Sequence, residues 1–155
     1  MAIRKDAIGD LRFDESLLFY SYGEDVLFSW SLGKLRGGLY VTPEAKMIHL
    51  SKRIKGFLNY KARELITTVY GSYLWIKIRG RRFSSILKLT WRNFGRLLGG
   101  IVTSIGSRRG GIIAFWRLRA SFILLLRFKE ILKLDLKGFN EKIIGDVKEG
   151  VQVTI

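Results

Sequence analysis

The sequence predicts an α-rich α+β fold, and three observations predict it. After Leu50 the chain is rich in helix formers whose apolar positions recur at helical spacing. Before Leu50, two short runs at 39–42 and 47–50 read as strands. The only Pro, Pro43, and the pair Gly37-Gly38 both fall in the first third, so only glycines interrupt the later runs. A chain of 155 residues has room for about one domain and one core.

Taken in order, Glu24-Asp25-Val26 opens a run with Phe28, Leu32 and Leu35 on one side, and Gly37-Gly38 ends it, which predicts a short helix. The two strands follow. Three helices are then expected near 54–78, 82–105 and 110–136, separated by Gly80 and by the glycines of 106–111. Gly99-Gly100, followed by the β-branched Ile101-Val102-Thr103, predicts a break inside the middle helix. The tail, 138–155, is mixed in charge and ends in the alternating Val151-Gln152-Val153-Thr154-Ile155, either a terminal strand or a loose end. The expected division is therefore 1–50, 51–137 and 138–155.

Charge divides the chain at nearly the same points. Residues 1–50 hold six Lys/Arg and seven Asp/Glu, and 130–155 hold four and five. Between them, 51–129 hold 18 Lys/Arg against one acid, Glu64, so this stretch carries +17 of the chain's net +15. Such a stretch meets something anionic, and lipid headgroups and nucleic acid both qualify on charge alone. Hydrophobic pattern decides between them. In 83–98, Ile86, Leu87, Trp91, Phe94 and Leu97/Leu98 recur at helical spacing with Arg82, Lys88, Arg92 and Arg96 beside them. An amphipathic helix with cationic flanks suits insertion at the headgroup level of an anionic membrane. The competing expectation is that the same stripes pack against one another, with the cations on a solvated face. The aromatic or Gly-rich signature of a nucleic-acid module is absent, so no nucleic acid is expected.

No Cys is present, which excludes a disulfide framework, a thiolate metal site and a cysteine nucleophile. Charged Arg4, Lys5 and Asp6 at the start read against a secretory signal, and each charge-free stretch of the basic region is shorter than the ~20 residues that span a bilayer. The expected location is cytoplasmic, peripheral on the inner face of the cell membrane.

Chemistry concentrates in residues 13–50. Asp14, Glu15, Glu24 and Asp25 fall within twelve residues, and His49, the sole His, follows Asp25 by 24. A general base needs a carboxylate at the edge of a cleft, and a divalent metal can use carboxylate and imidazole together. Acids ahead of a helix also serve as caps and dipole partners, so spacing alone leaves both roles open.

The ordered set Arg4-Lys5, Ile8-Gly9, Phe13-Asp14-Glu15, Tyr22-Gly23-Glu24-Asp25-Val26, Gly37, Pro43, Ala45 and His49 resembles the closing catalytic block of inverting family 2 glycosyltransferases with a GT-A fold. The resemblance covers about the first 50 residues. It implies the C-terminal portion of a GT-A domain that transfers a sugar from a nucleoside diphosphate to the hydroxyl of a glycan or lipid-linked acceptor. By the same resemblance Asp25 is the general base with Glu24 beside it, Asp14, Glu15, Tyr22 and Gly23 border the acceptor, and His49 completes a Mg²⁺ or Mn²⁺ site. Leu27 and Ser31 depart from the pattern, where relatives often carry Asp and Arg. No Asp-x-Asp precedes Asp25, so the chain is expected to lack the donor-binding half: a fragment, one half of a split pair completed by a separate chain, or a non-catalytic relic.

Overall fold

A computed structural model of the chain describes residues 8–17, 22–36, 44, 60–105 and 108–141. Helices α1 (Glu24–Arg36), α2 (Tyr60–Arg79), α3 (Phe83–Ser104), α4 (Arg108–Leu126) and α5 (Phe128–Lys133) run through them, and a helical segment at 136–141 follows.

α2 is the spine. Eleven of its twenty residues are buried, and they include the consecutive runs Glu64-Leu65-Ile66 and Thr68-Val69-Tyr70, so the helix is enclosed around most of its circumference. A helix apolar on all sides belongs in the middle of a protein. α3 and α4 lie against it and each other in an up-down-up arrangement. Trp75 Nε1 on α2 donates to the Ser85 carbonyl of α3 at 3.0 Å, while Arg117 Nη1 on α4 donates to the Arg96 carbonyl at 2.9 Å.

The ends of the described chain close on the spine. Leu17 and Leu27 from one end, and Leu136 and Phe139 from the other, join the α2 residues in one hydrophobic cluster. Each such side chain contributes about 1.5–3 kcal/mol by leaving water. Tyr70, buried in α2, donates from its hydroxyl to Asn140 Oδ1 at 3.1 Å, and Asn140 Nδ2 donates to the Ser16 carbonyl at 2.7 Å. One buried amide thus ties both ends to the middle.

The expected α+β class is corrected by this architecture: among the described residues the fold is all helical and contains no strand. A helix satisfies its own backbone, whereas a strand needs a neighbour for its unpaired groups, and every described apolar face that is covered is covered by helix or by the 8–17 segment. The strands expected at 39–42 and 47–50, and the alternating 151–155, lie outside the described residues.

The short helix expected from Glu24 is α1, and its acids occupy the first turn. The middle helix differs from expectation, for α3 continues through Gly99-Gly100 to Ser104. Of the pair, Gly100 serves packing, whereas a Cβ on Gly99 would meet nothing within 4 Å. A Cβ on Gly100 would lie 3.6 Å from the Ala114 Cα of α4, and one on Gly110 would overlap the Thr103 carbonyl oxygen. The two helices therefore approach along small residues.

The last helix, expected to be continuous over 110–136, is instead divided at Arg127 and again at Leu134. Leu134 takes the left-handed conformation, φ 61°, which costs a non-glycine residue about 1–2 kcal/mol. The Asp135 N–H closes the end on the Glu130 carbonyl at 2.9 Å. The turn redirects the chain so that Leu136 and Phe139 reach the core, where each is almost wholly buried.

The glycine contacts make a paired prediction. Gly110→Ala should destabilise by about 1–3 kcal/mol despite alanine's better helix propensity, because the obstacle is backbone that cannot rotate away. Gly111→Ala meets nothing within 4 Å and should be neutral or stabilising by up to ~1 kcal/mol. Urea unfolding followed by circular dichroism measures both.

Candidate functional site

The four residues Tyr22, Gly23, Glu24 and Asp25 come together on one cleft of about 770 Å³, whose other side is Gly71, Leu74, Trp75, Ile78 and Arg79 of α2 and Arg92 of α3. Its shape begins at Gly23. This residue has φ 83°, and a Cβ there would overlap the Leu74 side chain. Only glycine makes that turn at that closeness. The turn delivers Glu24 and Asp25 to the first turn of α1, where the unpaired N–H groups favour negative charge. Asp25 is exposed and Glu24 half-buried. The Asp25 carboxylate accepts from the Val26 N–H at 2.8 Å, so it acts partly as a cap while its outer side meets solvent.

Asp14 and Glu15 lie elsewhere, in a hollow of about 540 Å³ formed with Leu11, Arg12, Phe13, Ser16, Leu27, Phe28, Ser31 and Lys77. Glu15 is exposed there. Asp14 is committed to structure: its Oδ2 accepts from Lys77 Nζ at 2.6 Å and from the Tyr73 hydroxyl at 2.7 Å, and Lys77 Nζ stands 2.9 Å from that hydroxyl. The Ser16 N–H caps the other oxygen at 3.1 Å. Burial by itself would raise the Asp14 pKa, but the hydrogen bonds from Lys77, Ser16 and Tyr73 outweigh it and hold the carboxyl at about 2. The Lys77 ammonium, disfavoured by burial, is held above its usual range by Asp14 and Tyr73. Burial, with the Asp14 charge behind it, raises the Tyr73 phenol.

His49, the expected metal ligand, lies outside the described residues. Among the described residues no group of three or more His, Cys, Asp or Glu could hold a metal.

Sequence reading missed the cationic and aromatic wall of the cleft. Trp75 carries a guanidinium near its ring from each of two helices, Arg79 at 5.8 Å and Arg92 at 5.2 Å. Trp75 and Arg79 are one turn apart on a helix the periodicity does predict, which was a usable signal. Arg92 offered none: beside Trp91 and Phe94 it reads as a flank of the apolar stripe, yet it turns inward to Trp75. Arg96 likewise turns inward, to Glu64.

The Asp14 cluster predicts a specific acid limb. A carboxyl whose folded pKa is about 2 against an ordinary 3.8 contributes stability above the ordinary value and loses it as pH falls towards the folded value. Unfolding free energy should therefore drop as pH falls from about 4 to about 2. Asp14→Asn should be less stable at neutral pH and flatter across that window, as urea titrations at each pH will measure.

Comparison of the chain with protein-family models, with curated proteins and with solved structures yields no match.

Proposed function

We propose that this chain is the acceptor-side portion of an inverting glycosyltransferase of the family 2 type, acting in cell-surface glycan or glycolipid synthesis on the inner face of the cell membrane. The observation that carries the reading is the Glu24–Asp25 pair, set by the Gly23 turn on the wall of a cleft, with Asp25 exposed. A carboxylate at a cleft edge is what removal of a hydroxyl proton requires.

In this reading the acceptor hydroxyl lies against Asp25. Its oxygen bonds to the anomeric carbon as the bond from that carbon to the diphosphate oxygen breaks, the diphosphate leaves with the electron pair, and the hydroxyl proton passes to Asp25. Glu24 stands beside the base at the start of α1, and Tyr22 borders the acceptor. A divalent cation, when bound with His49, would neutralise the leaving diphosphate. The donor-binding elements come from outside the described residues, on a longer chain or a separate one.

What supports the membrane part is the outer surface of α3 and α4. Leu87, Trp91, Phe94 and Leu98 of the α3 stripe are exposed, as are Ile105 just past its end and Phe115, Phe122 and Leu125 of α4, with Trp91 73% and Leu125 72% accessible. Arg81, Arg82, Lys88, Arg108 and Arg109 are exposed on and beside the same helices. Apolar surface on this scale marks a partner surface, and its cationic surroundings match anionic lipid. No helix among the described residues is long and apolar enough to cross a membrane, which fits a helix pair lying in the interface. The second reading is a non-catalytic basic membrane-binding protein. It uses the same surface but gives Asp25 no chemical task.

One reconstitution separates the readings. With a related donor-binding half supplied, transfer to a lipid-linked acceptor in phosphatidylglycerol-containing vesicles is expected. Asp25→Asn should lower kcat by roughly 10²- to 10⁴-fold with vesicle co-sedimentation unchanged. Trp91→Glu should weaken co-sedimentation while leaving Asp25 competent. Transfer by Asp25→Asn at more than about half the parent rate would remove Asp25 as the base.

A further inference from the structure

Of the guanidinium groups that α3 and α4 turn inward, those of Arg117 and Arg92 are treated differently by the fold. Arg117 uses its Nε–Nη2 edge on Glu64, with Nε at 2.9 Å from Oε2 and Nη2 at 3.3 Å from Oε1. This is the two-pronged geometry in which arginine holds an oxyanion. Arg92 has the same edge covered, and neither Nε nor Nη2 finds a hydrogen-bond partner among the described residues. A buried donor without a partner loses its hydration for nothing, and a charged one loses most. Because arginine stays protonated, the group cannot escape that cost by neutralising. Burial, and after it the nearby Arg96, disfavour the cation here.

We infer that the cleft beside Asp25 is an oxyanion site for a phosphate or pyrophosphate ester, gripped by the Nε–Nη2 edge of Arg92 and completed at the rim by Arg79. Both arginines line the cleft, and both guanidinium groups lie near the Trp75 ring. Gly71 lets α2 lie close against that covered edge beside Tyr22: a Cβ there would stand 3.5 Å from Arg92 Nη2 and 4.0 Å from Tyr22 Cε1. The Tyr22 ring, 40% exposed, is the group an entering oxyanion turns aside. A tetrahedral oxyanion offers two oxygens to the fork and a third to Arg79, a match that neither a neutral sugar nor a cation makes. The inference deepens the glycosyltransferase reading by placing a phosphoryl group beside the proposed base, although its physical basis in Arg92 does not require sugar transfer.

The test is thermal unfolding of the full chain with two probes. One is inorganic pyrophosphate. The other is a phosphomonoester lipid in phosphatidylcholine vesicles. Pyrophosphate at about a hundredfold above its Kd should raise the wild-type Tm by about 5 °C or more. Arg92→Met should be at least as stable as wild type without anion, since it removes an unpartnered buried charge, and should show no rise with either probe. Arg92→Lys keeps the charge but not the fork and should weaken binding roughly tenfold or more. Lys129→Gln, an exposed change on α5, should respond like wild type. A response confined to the vesicle probe and lost in Arg92→Met supports a lipid-borne phosphate, and one confined to pyrophosphate supports a soluble one. An equal rise in wild type and Arg92→Met, or none with either probe, overturns the inference. Asp25→Asn should keep the response, so anion binding through Arg92 without transfer would sink the catalytic reading and leave this one standing.

Discussion

Glu64 is the one acid among 18 cationic side chains between residues 51 and 129, and the three-helix body depends on it. Its side chain is 7% exposed, and it faces Arg117 at 2.9 Å and Arg96 at 3.3 Å. Arg96 also donates to the Thr67 carbonyl at 3.2 Å and the Thr67 hydroxyl at 3.0 Å. One carboxylate on α2 thus fixes the rotation of α3 and α4 together. A pair in low dielectric is worth keeping only when its geometry is good and its remaining donors are satisfied, and here both arginines place further N–H groups on backbone or hydroxyl oxygens.

That rotation decides what the rest of the molecule can present. With Arg96 and Arg117 turned to Glu64, and Ser85, Leu89 and Gly100 buried, the opposite side of α3 carries Leu87, Trp91, Phe94 and Leu98 outward. The same rotation brings Arg92 over Trp75 and into the cleft that α1 closes. A chain with this excess of positive charge repels itself, so the one buried anion and the short approach through Gly100 and Gly110 let the cations converge without unfolding the bundle. Asp14 plays a smaller version of the part on the other end of α2, where it neutralises Lys77.

Much of the helical framework was legible in the sequence. The Glu24 helix, the helix after Tyr60 and the start of α3 follow from apolar spacing and from Gly80, because those are local signals. The α+β class was not legible correctly: short apolar runs are ambiguous between strand and helix, and no sheet stands among the described residues. The Gly99-Gly100 break failed for a tertiary reason, since α4 packs against the Gly100 backbone. Leu134 gave no sign of a left-handed residue. For the site, the grouping of Tyr22, Gly23, Glu24 and Asp25 was visible as a contiguous string, whereas Arg92, Arg79 and Trp75 converge only through the packing of α2 against α3. Asp14, singled out as an acid near the acceptor, ties the 8–17 segment to Lys77.

A single buried carboxylate thus orients α3 and α4, and so creates both the outward apolar face and the arginine-lined cleft. A double-mutant cycle on Glu64→Gln and Arg117→Met, read by urea unfolding, measures that coupling. A coupling of about 2 kcal/mol is expected, because Glu64→Gln leaves the Arg117 charge without its carboxylate and removing both spares that cost. Additive effects, with a coupling near zero, would mean that α4 is held by apolar packing alone and not oriented by Glu64.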